Sequence, residues 1–182
     1  MELRELFEVQ GELDAHIEKI HPRKEGEKRL EEKILALQTE LGEIANEWRQ
    51  FKFWSNDREP RTERLLEEYV DGFHFVLSIG LEESKRYGQS VPIRLGLPDE
   101  LTSICYETTI QQFNYLFSEI GRLYDSVTLH EVAADTEVEE AYENIIRMFI
   151  GLGEKLGFTE KEIAEAYMRK NMINHERQKN GY

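Results

Sequence analysis

A long apolar stripe with helical spacing constrains the fold of this chain more than any other feature. Side chains separated by alternating steps of four and three lie on one side of an α-helix, and a long stripe of them needs a partner helix to bury it. The sequence therefore predicts a helical bundle built around a helix that runs to Phe51 or nearly so. The stripe consists of Leu30, Ile34, Leu37, Leu41, Ile44, Trp48 and Phe51.

The other apolar residues also recur at helical intervals, and no segment shows the strict alternation of a half-buried strand. Proline and glycine mark the breaks, and Thr-x-x-Glu capping boxes open two of the helices. Without a repeat or linker, residues 1–182 are expected to form one all-α domain. The predicted segments are a first helix ending at His21-Pro22, a third helix from about Thr62 to Arg86, a loop from Tyr87 to Pro98, a fourth helix from near Asp99 to Val127, a fifth from the box Thr136–Glu139 to Gly157 and a sixth from the box Thr159–Glu162.

The charge balance restricts the partners of the chain. Its 37 acidic and 23 basic residues give a net charge of −14, which argues against duplex nucleic acid and anionic membranes as partners. An anionic substrate would need a metal ion or a local group of Lys and Arg residues. Cys105 is the only cysteine, which excludes internal disulfides and Cys-rich zinc sites. The segment MELRELFEVQ is charged and no apolar run could span a bilayer, so a soluble cytoplasmic protein is expected.

Two acidic pairs occur on neighbouring predicted helices: Glu40 with Glu43, and Glu68 with Asp71. Residues three apart on a helix lie on the same side, about 5–6 Å apart at Cβ. If the two helices pack side by side, four carboxylates come together, and their repulsion favours a cation among them. Oxygen ligands suit a hard cation such as Mg²⁺ or Mn²⁺, which in turn binds phosphates. The pairs therefore predict a metal site for phosphate chemistry.

A solvated helix surface is the alternative interpretation of these pairs, since acidic residues three apart are common in so acidic a chain. Glu140–Glu143 and Glu162–Glu165 have the same spacing and no other feature of a site. The first set differs because it runs along the edge of the apolar stripe. A lysine among three aromatic residues, at 51–54, follows it directly. This context favours a site.

Three blocks of the sequence resemble the dimeric all-α dUTPases, a branch of the MazG-like superfamily of all-α nucleoside triphosphate pyrophosphatases. They leave only about residues 85–160 without a matching motif. The blocks are QGELD at 10–14, ELGEIANEWRQFKFW at 40–54 with EEYVDGFHF at 67–75, and KNMINHERQKNGY at 170–182. A lone Glu-x-x-Glu is a weak signal, whereas the three blocks in this order are a specific one.

The resemblance implies a Mg²⁺-dependent hydrolysis of dUTP, and also of dUDP, to dUMP, with Mn²⁺ as a substitute metal. The metal ligands would be Glu40, Glu43, Glu68 and Asp71. One carboxylate of the first pair, Glu40 or Glu43, would orient or deprotonate the attacking water. The resemblance also implies a homodimer, which agrees with the long apolar stripe and its neighbouring aromatic residues.

The C-terminal segment carries three polar residues at helical spacing, Lys170, Asn174 and Arg177. Taken alone, this pattern is typical of a solvated terminal helix. With the resemblance, Lys170 and Arg177 are predicted to bind phosphate and Asn174 to contact the base or the sugar. An Arg fork and a Lys point charge are suited to a polyphosphate inside an acidic protein.

The uracil base offers two carbonyl acceptors and one N–H donor, so side-chain amides suit it. Gln10 and Asn174 are the candidates. Phe75 follows Asp71 by one helical turn and is predicted either to stack on the base or to pack in the core. His74 is expected to be buried and hydrogen-bonded rather than catalytic.

Four further residues are candidates for the site, and two of them, Asp14 and Glu47, have an alternative interpretation. Asp14 either holds the sugar or lies on the surface. Lys52 and Trp54 are candidate substrate contacts, with Trp54 as a wall of the pocket, because they follow the acidic stripe. Glu47 extends that stripe as an outer or third metal ligand, or serves only the structure.

Three rival functions share these features. A pyrophosphatase of another base specificity would keep the metal motif and change only the base pocket. A di-iron carboxylate bundle needs two Glu-x-x-His pairs, and only Asp71-Gly-Phe-His74 comes near that pattern. A helical binding module, for example one that docks a regulatory protein, would use the same fold as an interaction surface.

Overall fold

The computed structural model describes residues 3–86, 101–128 and 135–181. These residues form helices and no β-strand, which confirms the predicted all-α fold. None of the helices in the described ranges is both long and apolar enough to cross a membrane. The predicted loop at 87–98 lies outside these ranges. The helices are α1 (Leu3–Ile20), α2 (Arg29–Trp48), α3 (Thr62–Arg86), α4 (Thr109–Thr128), α5 (Asp135–Leu156) and α6 (Glu160–Lys179).

Helix α2 ends at Trp48, before the predicted limit at Phe51. Arg49 adopts a left-handed backbone with φ of 65°, and its amide N–H bonds Ala45 O at 3.0 Å. Its guanidinium donates to the carboxylate of Asp57 at 2.8 Å and to the carbonyl oxygen of Asp57 at 2.7 Å. These contacts turn the chain away from the helix axis, so the last residue of the apolar stripe, Phe51, lies outside the helix and is 37% exposed.

Helices α2 and α3 pack antiparallel, as two ion pairs at their opposite ends show. Lys33 near the start of α2 lies 3.1 Å from Glu82 near the end of α3. Glu47 near the end of α2 lies 3.2 Å from Arg61, the residue before α3. The polar residues between these two ion pairs therefore meet across the α2–α3 interface.

The aromatic core fixes α5 against α3. The rings of Phe73 and Phe149 stack with centroids 5.7 Å apart, and the Tyr69 hydroxyl donates to the carbonyl oxygen of Phe149 at 3.0 Å. Gly72 allows this close approach, because a Cβ there would lie 2.9 Å from Phe149 Cζ and 3.2 Å from Ile44 Cδ1. Residue 72 thus brings α2, α3 and α5 together beside one of the acidic pairs.

The predicted start of the fourth helix near Asp99 is wrong. Residues 101–108 are non-helical, and α4 begins at Thr109, whereas Asp99 itself lies outside the described ranges. Thr108 and Gln111 form a reciprocal cap, with N···O distances of 3.0 and 3.1 Å. Gln112 then donates to the carbonyl oxygens of Ile104 and Met148 at 2.8 and 2.7 Å. The backbone groups of the preceding segment are therefore hydrogen-bonded to Gln112 and to α5, and this segment runs beside α5 without forming a helical turn.

The last two helices follow their predicted signals closely. Helix α5 begins at Asp135, so Thr136 lies inside the helix and not at its cap. Gly157 ends α5 with a φ of +87°. The predicted box at the start of α6 is confirmed, because Thr159 accepts from the Glu162 amide and Glu162 accepts from the Thr159 amide.

Candidate functional site

Three carboxylates from the two acidic pairs converge at the α2–α3 interface. Oxygen atoms of Glu40 on α2 and of Glu68 and Asp71 on α3 all lie within 4.8 Å of one another. The fourth residue, Glu43, is exposed and hydrogen-bonds Glu68 through its side chain. Antiparallel packing of the two helices therefore brings the acidic pairs face to face.

The acidic cluster, Glu40, Glu43, Glu68 and Asp71, is electrostatically unfavourable on its own. Burial, followed by the charges of Asp71, Glu43 and Glu68, raises the pKa of Glu40 to about 7. Burial and the same neighbouring charges also raise the pKa of Glu68. Glu40 Oε2 is buried without a hydrogen-bond partner among the described residues. An oxygen-only donor set with an unpartnered buried oxygen suits a hard divalent cation.

Helix α6 contributes a cation to the acidic cluster. Lys170 Nζ lies 2.5 Å from Asp71 Oδ2, and about four-fifths of each side chain is buried, with 18% and 20% exposed. The ammonium lowers the pKa values of Glu40 and Glu68, although less than their surroundings raise them. Lys170 therefore joins the C-terminal helix to the acidic cluster.

A cavity of about 590 Å³ opens beside the acidic cluster, between α1, α2, α3 and α6. Two of the carboxylates, Glu40 and Asp71, form part of its wall. The structure thus joins the predicted metal residues to a space large enough for a nucleotide. The predicted substrate residues that line it are Gln10, Asp14, Phe75, Lys170, Asn174 and Arg177.

The carboxylate of Asp14 connects α1 with α2 and α3, and its side chain is largely buried. Its carboxylate accepts from Gln10 Nε2 at 2.7 Å and from the Ser78 hydroxyl at 2.6 Å. Lys33 Nζ lies 3.4 Å away, and only 9% of the Asp14 side chain is exposed. The second of the two predicted interpretations, a surface position, is therefore excluded.

His74 is buried, as predicted, against the ring of Tyr167 at a centroid distance of 4.0 Å. Its Nδ1–H donates to the carbonyl oxygen of Val70 at 2.7 Å, and burial lowers its pKa. The ring is therefore neutral near pH 7, with Nε2 as the unprotonated nitrogen. Phe75 packs against the core and also lines the cavity, so its stacking on the base stays a prediction.

Glu47, Lys52 and Trp54 do not line this cavity. Glu47 is 7% exposed and pairs with Arg61, so its contacts are structural. Lys52 contacts Asn46 and lies 5.7 Å from the centre of the Phe51 ring. Trp54 is 66% exposed. A role of Lys52 and Trp54 in substrate binding stays a prediction.

Sequence patterns missed several cavity residues, although a signal was present. Lys33 precedes Glu40 by two helical turns, and Ser78 and Glu82 continue the stripe that begins at Asp71. Polar residues that interrupt an apolar helix at this spacing indicate a polar cavity as well as a boundary of the core. Tyr167 does not line the cavity but bonds Gln10, which does. No signal of this contact is present in the sequence, because a tyrosine at an apolar helix position is consistent with ordinary core packing.

An acidic cluster that opens on a cavity with cationic side chains is suited to a hydrolase that acts on nucleotide polyphosphates. A sequence model described as dUTPase matches residues 2–182, so the chain belongs to the dUTPase family. Its activity is that of a dUTP diphosphatase, which hydrolyses dUTP, and this family uses a divalent metal ion. Comparison with curated proteins gives no match.

Proposed function

We propose that this dUTPase requires Mg²⁺, held by Glu40, Glu43, Glu68 and Asp71, and hydrolyses dUDP as well as dUTP to dUMP. The observation that carries the proposal of a metal site is that carboxylate oxygens of Glu40, Glu68 and Asp71 lie within 4.8 Å of one another. These oxygen ligands suit Mg²⁺, with Mn²⁺ as a substitute, better than softer metals.

The catalytic roles fall to the first acidic pair. When bound, Mg²⁺ supplies positive charge to the phosphate oxygens and a more acidic water. One carboxylate of Glu40 and Glu43 orients this water and accepts its proton. Glu40 is half-buried at the cavity wall, whereas Glu43 is exposed. These different surroundings support different roles for the two carboxylates.

Lys170 and Arg177 on α6 are proposed to bind the phosphate chain. Both line the cavity, and Lys170 already lies against the acidic cluster, where the phosphates must approach the metal. A cation in this position offsets the repulsion between the substrate and a chain with a net charge of −14.

The base is proposed to lie between Phe75, Gln10 and Asn174. All three line the cavity, and Gln10 is only 2% exposed, so a base held there is shielded from water. Phe75 stacks on the ring and the two amides bond its edge. Asp14 supports this site from behind through its bond to Gln10, which leaves its predicted sugar contact to be tested.

A homodimer is proposed on the basis of exposed apolar side chains. Phe53 is 82% exposed, Trp54 66%, and Met172 on α6 67%. Apolar groups of this size at a surface are typical of an interface with another subunit.

A panel of nucleotides assayed with Mg²⁺ tests the substrate and the metal together. We expect dUTP and dUDP to yield dUMP, with dTTP, dCTP and UTP much slower, and we expect chelation by EDTA to abolish turnover until Mg²⁺ is restored. Similar rates for dUTP and dCTP would contradict the base site. Full activity in EDTA would contradict the metal site, whatever the base preference.

A further inference from the structure

We infer that Tyr167 is a positioning residue that sets the preference for uracil over cytosine by fixing the amide of Gln10. The inference rests on the proposed function, in which Gln10 contacts the base. It adds the orientation of the Gln10 amide and the group that holds it.

The amide of Gln10 has a defined donor side and acceptor side. Its Nε2 donates to Asp14 Oδ1 at 2.7 Å, and its Oε1 accepts from the Tyr167 hydroxyl at 2.6 Å. A carboxylate only accepts hydrogen bonds, so a flipped amide would place its carbonyl oxygen against that of Asp14. Asp14 and Tyr167 therefore select the same orientation from opposite sides.

Tyr167 is held rigidly enough to define that orientation. Its side chain is 0% exposed, and its ring stacks on His74 at 4.0 Å and meets Phe73 edge-on at 6.1 Å. Burial raises the pKa of the Tyr167 hydroxyl, which therefore remains protonated and able to donate. Because the ring is packed against His74 and Phe73, its hydroxyl keeps Gln10 Oε1 turned toward Tyr167.

The Nε2 side of the fixed amide meets Asp14, which lines the cavity, whereas its Oε1 side meets Tyr167, which is not among the cavity-lining residues. An amide nitrogen carries two hydrogens, and within the described ranges only one of those on Gln10 is bonded, to Asp14. The second N–H suits the 4-carbonyl oxygen of uracil. Cytosine carries an amino group at this position, so two donors would face each other and both would lose their partners.

The test compares kcat/KM for dUTP and dCTP in three single variants and one double variant. Tyr167→Phe removes one of the two bonds that fix the amide, so that only Asp14 still opposes a turn of Gln10 Oε1 toward an amino group in the cavity. We expect the dUTP-to-dCTP ratio to fall about tenfold, mostly through KM, as for one buried hydrogen bond. Tyr142→Phe is the matched control, because Tyr142 is also 0% exposed but donates to the carbonyl oxygen of Val76 at 3.0 Å. The control should leave the ratio unchanged.

A third variant, Gln10→Met, separates the possible failures and remains informative if Tyr167→Phe does not fold. It should lower the ratio by itself, and adding Tyr167→Phe should lower it no further, since the two residues act through one amide. An unchanged ratio in Gln10→Met would overturn the proposed base site and this inference with it. A lowered ratio in Gln10→Met with an unchanged ratio in folded Tyr167→Phe, or an equal fall in Tyr142→Phe, would overturn the inference alone.

Discussion

The ammonium of Lys170 on α6 lies 2.5 Å from the carboxylate of Asp71 on α3. This ion pair places a cation of the last helix beside the acidic cluster, where the phosphates of dUTP and the metal are proposed to meet. The same contact means that a change on α6 alters the charge of residues on α2 and α3.

Replacing Lys170 by Met is expected to lower kcat/KM for dUTP about 100-fold, because a buried cation beside the phosphates is lost. The metal-free protein should also unfold at a lower temperature, since Asp71 loses its partner. Lys161→Met is the control, as Lys161 lies on the same helix with 84% of its side chain exposed. Equal kcat/KM values for the two variants would show that Lys170 does not contribute to substrate binding or catalysis.

Replacing Glu40 by Gln is expected to lower kcat for dUTP by at least about 100-fold while the helical content stays unchanged. The variant loses a metal ligand and a candidate base together, so added Mg²⁺ should not restore the rate. Glu165→Gln is the matched control, because Glu165 belongs to an acidic pair of the same spacing that is exposed and does not line the cavity beside the acidic cluster. Circular dichroism and steady-state kinetics on both variants make the comparison. A Glu40→Gln enzyme with the wild-type rate would place the chemistry elsewhere.

The contribution of Glu40 to the stability of the metal-free protein is expected to fall as the pH rises. Burial and the charges of Asp71, Glu43 and Glu68 raise the pKa of Glu40 to about 7, against an ordinary value of 4.5. The folded protein keeps this proton over a range where the unfolded chain has lost it. The stabilising contribution is therefore complete below about pH 4.5 and is lost as the pH rises through about 7.

Thermal unfolding in EDTA at several pH values checks this dependence. The wild type should lose Tm relative to Glu40→Gln between about pH 5 and 8. Burial lowers the pKa of His74, which has the opposite effect on stability, but this contribution is common to both proteins and cancels in the comparison. Parallel curves would show that Glu40 titrates normally. Mg²⁺ should raise the wild-type Tm most at high pH, where the cluster is fully charged.

Replacing Gly72 by Ala is expected to destabilise the fold by about 1–2 kcal/mol, because the overpacking of a close contact outweighs the gain in helix propensity. A Cβ at this position would lie 2.9 Å from Phe149 Cζ. Gly121 is the control: it also lies within a helix, but a Cβ there would have no neighbour within 4 Å. Gly121→Ala should stabilise the protein by up to about 1 kcal/mol. Chemical denaturation of both variants measures the difference, and equal effects would mean that α5 moves freely away from α3.

The sequence predicted the helix boundaries correctly where residues close to the boundary determine the local structure. The third helix, the Gly157 stop and the box at Thr159 are determined by neighbouring residues, and each was predicted. The start of α4 was not predicted because the apolar spacing of Leu101 and Ile104 imitates a helix. The backbone groups of Ile104 instead bond the side chain of Gln112 and the backbone of Arg147, and Arg147 is distant in the sequence.

The candidate site shows the same limit at longer range. Helical spacing was enough to predict that Glu40 lies opposite Asp71, because this contact requires only that two neighbouring helices pack side by side. The contact between Gln10 and Tyr167 was not predicted, since it joins residues separated by 157 positions. Spacing within a helix indicates which side of it is buried, but it does not indicate which distant residue it meets.

That separation has a consequence for newly made protein. A ribosome releases α1 first and α6 last, so Gln10 emerges long before the hydroxyl that holds its amide. Until α6 docks, the nascent chain carries the acidic residues of the second and third helices without the ammonium of Lys170. The incomplete polypeptide therefore lacks Tyr167, Lys170 and Arg177, and the proposed substrate site is complete only when α6 has docked against α1 and α3.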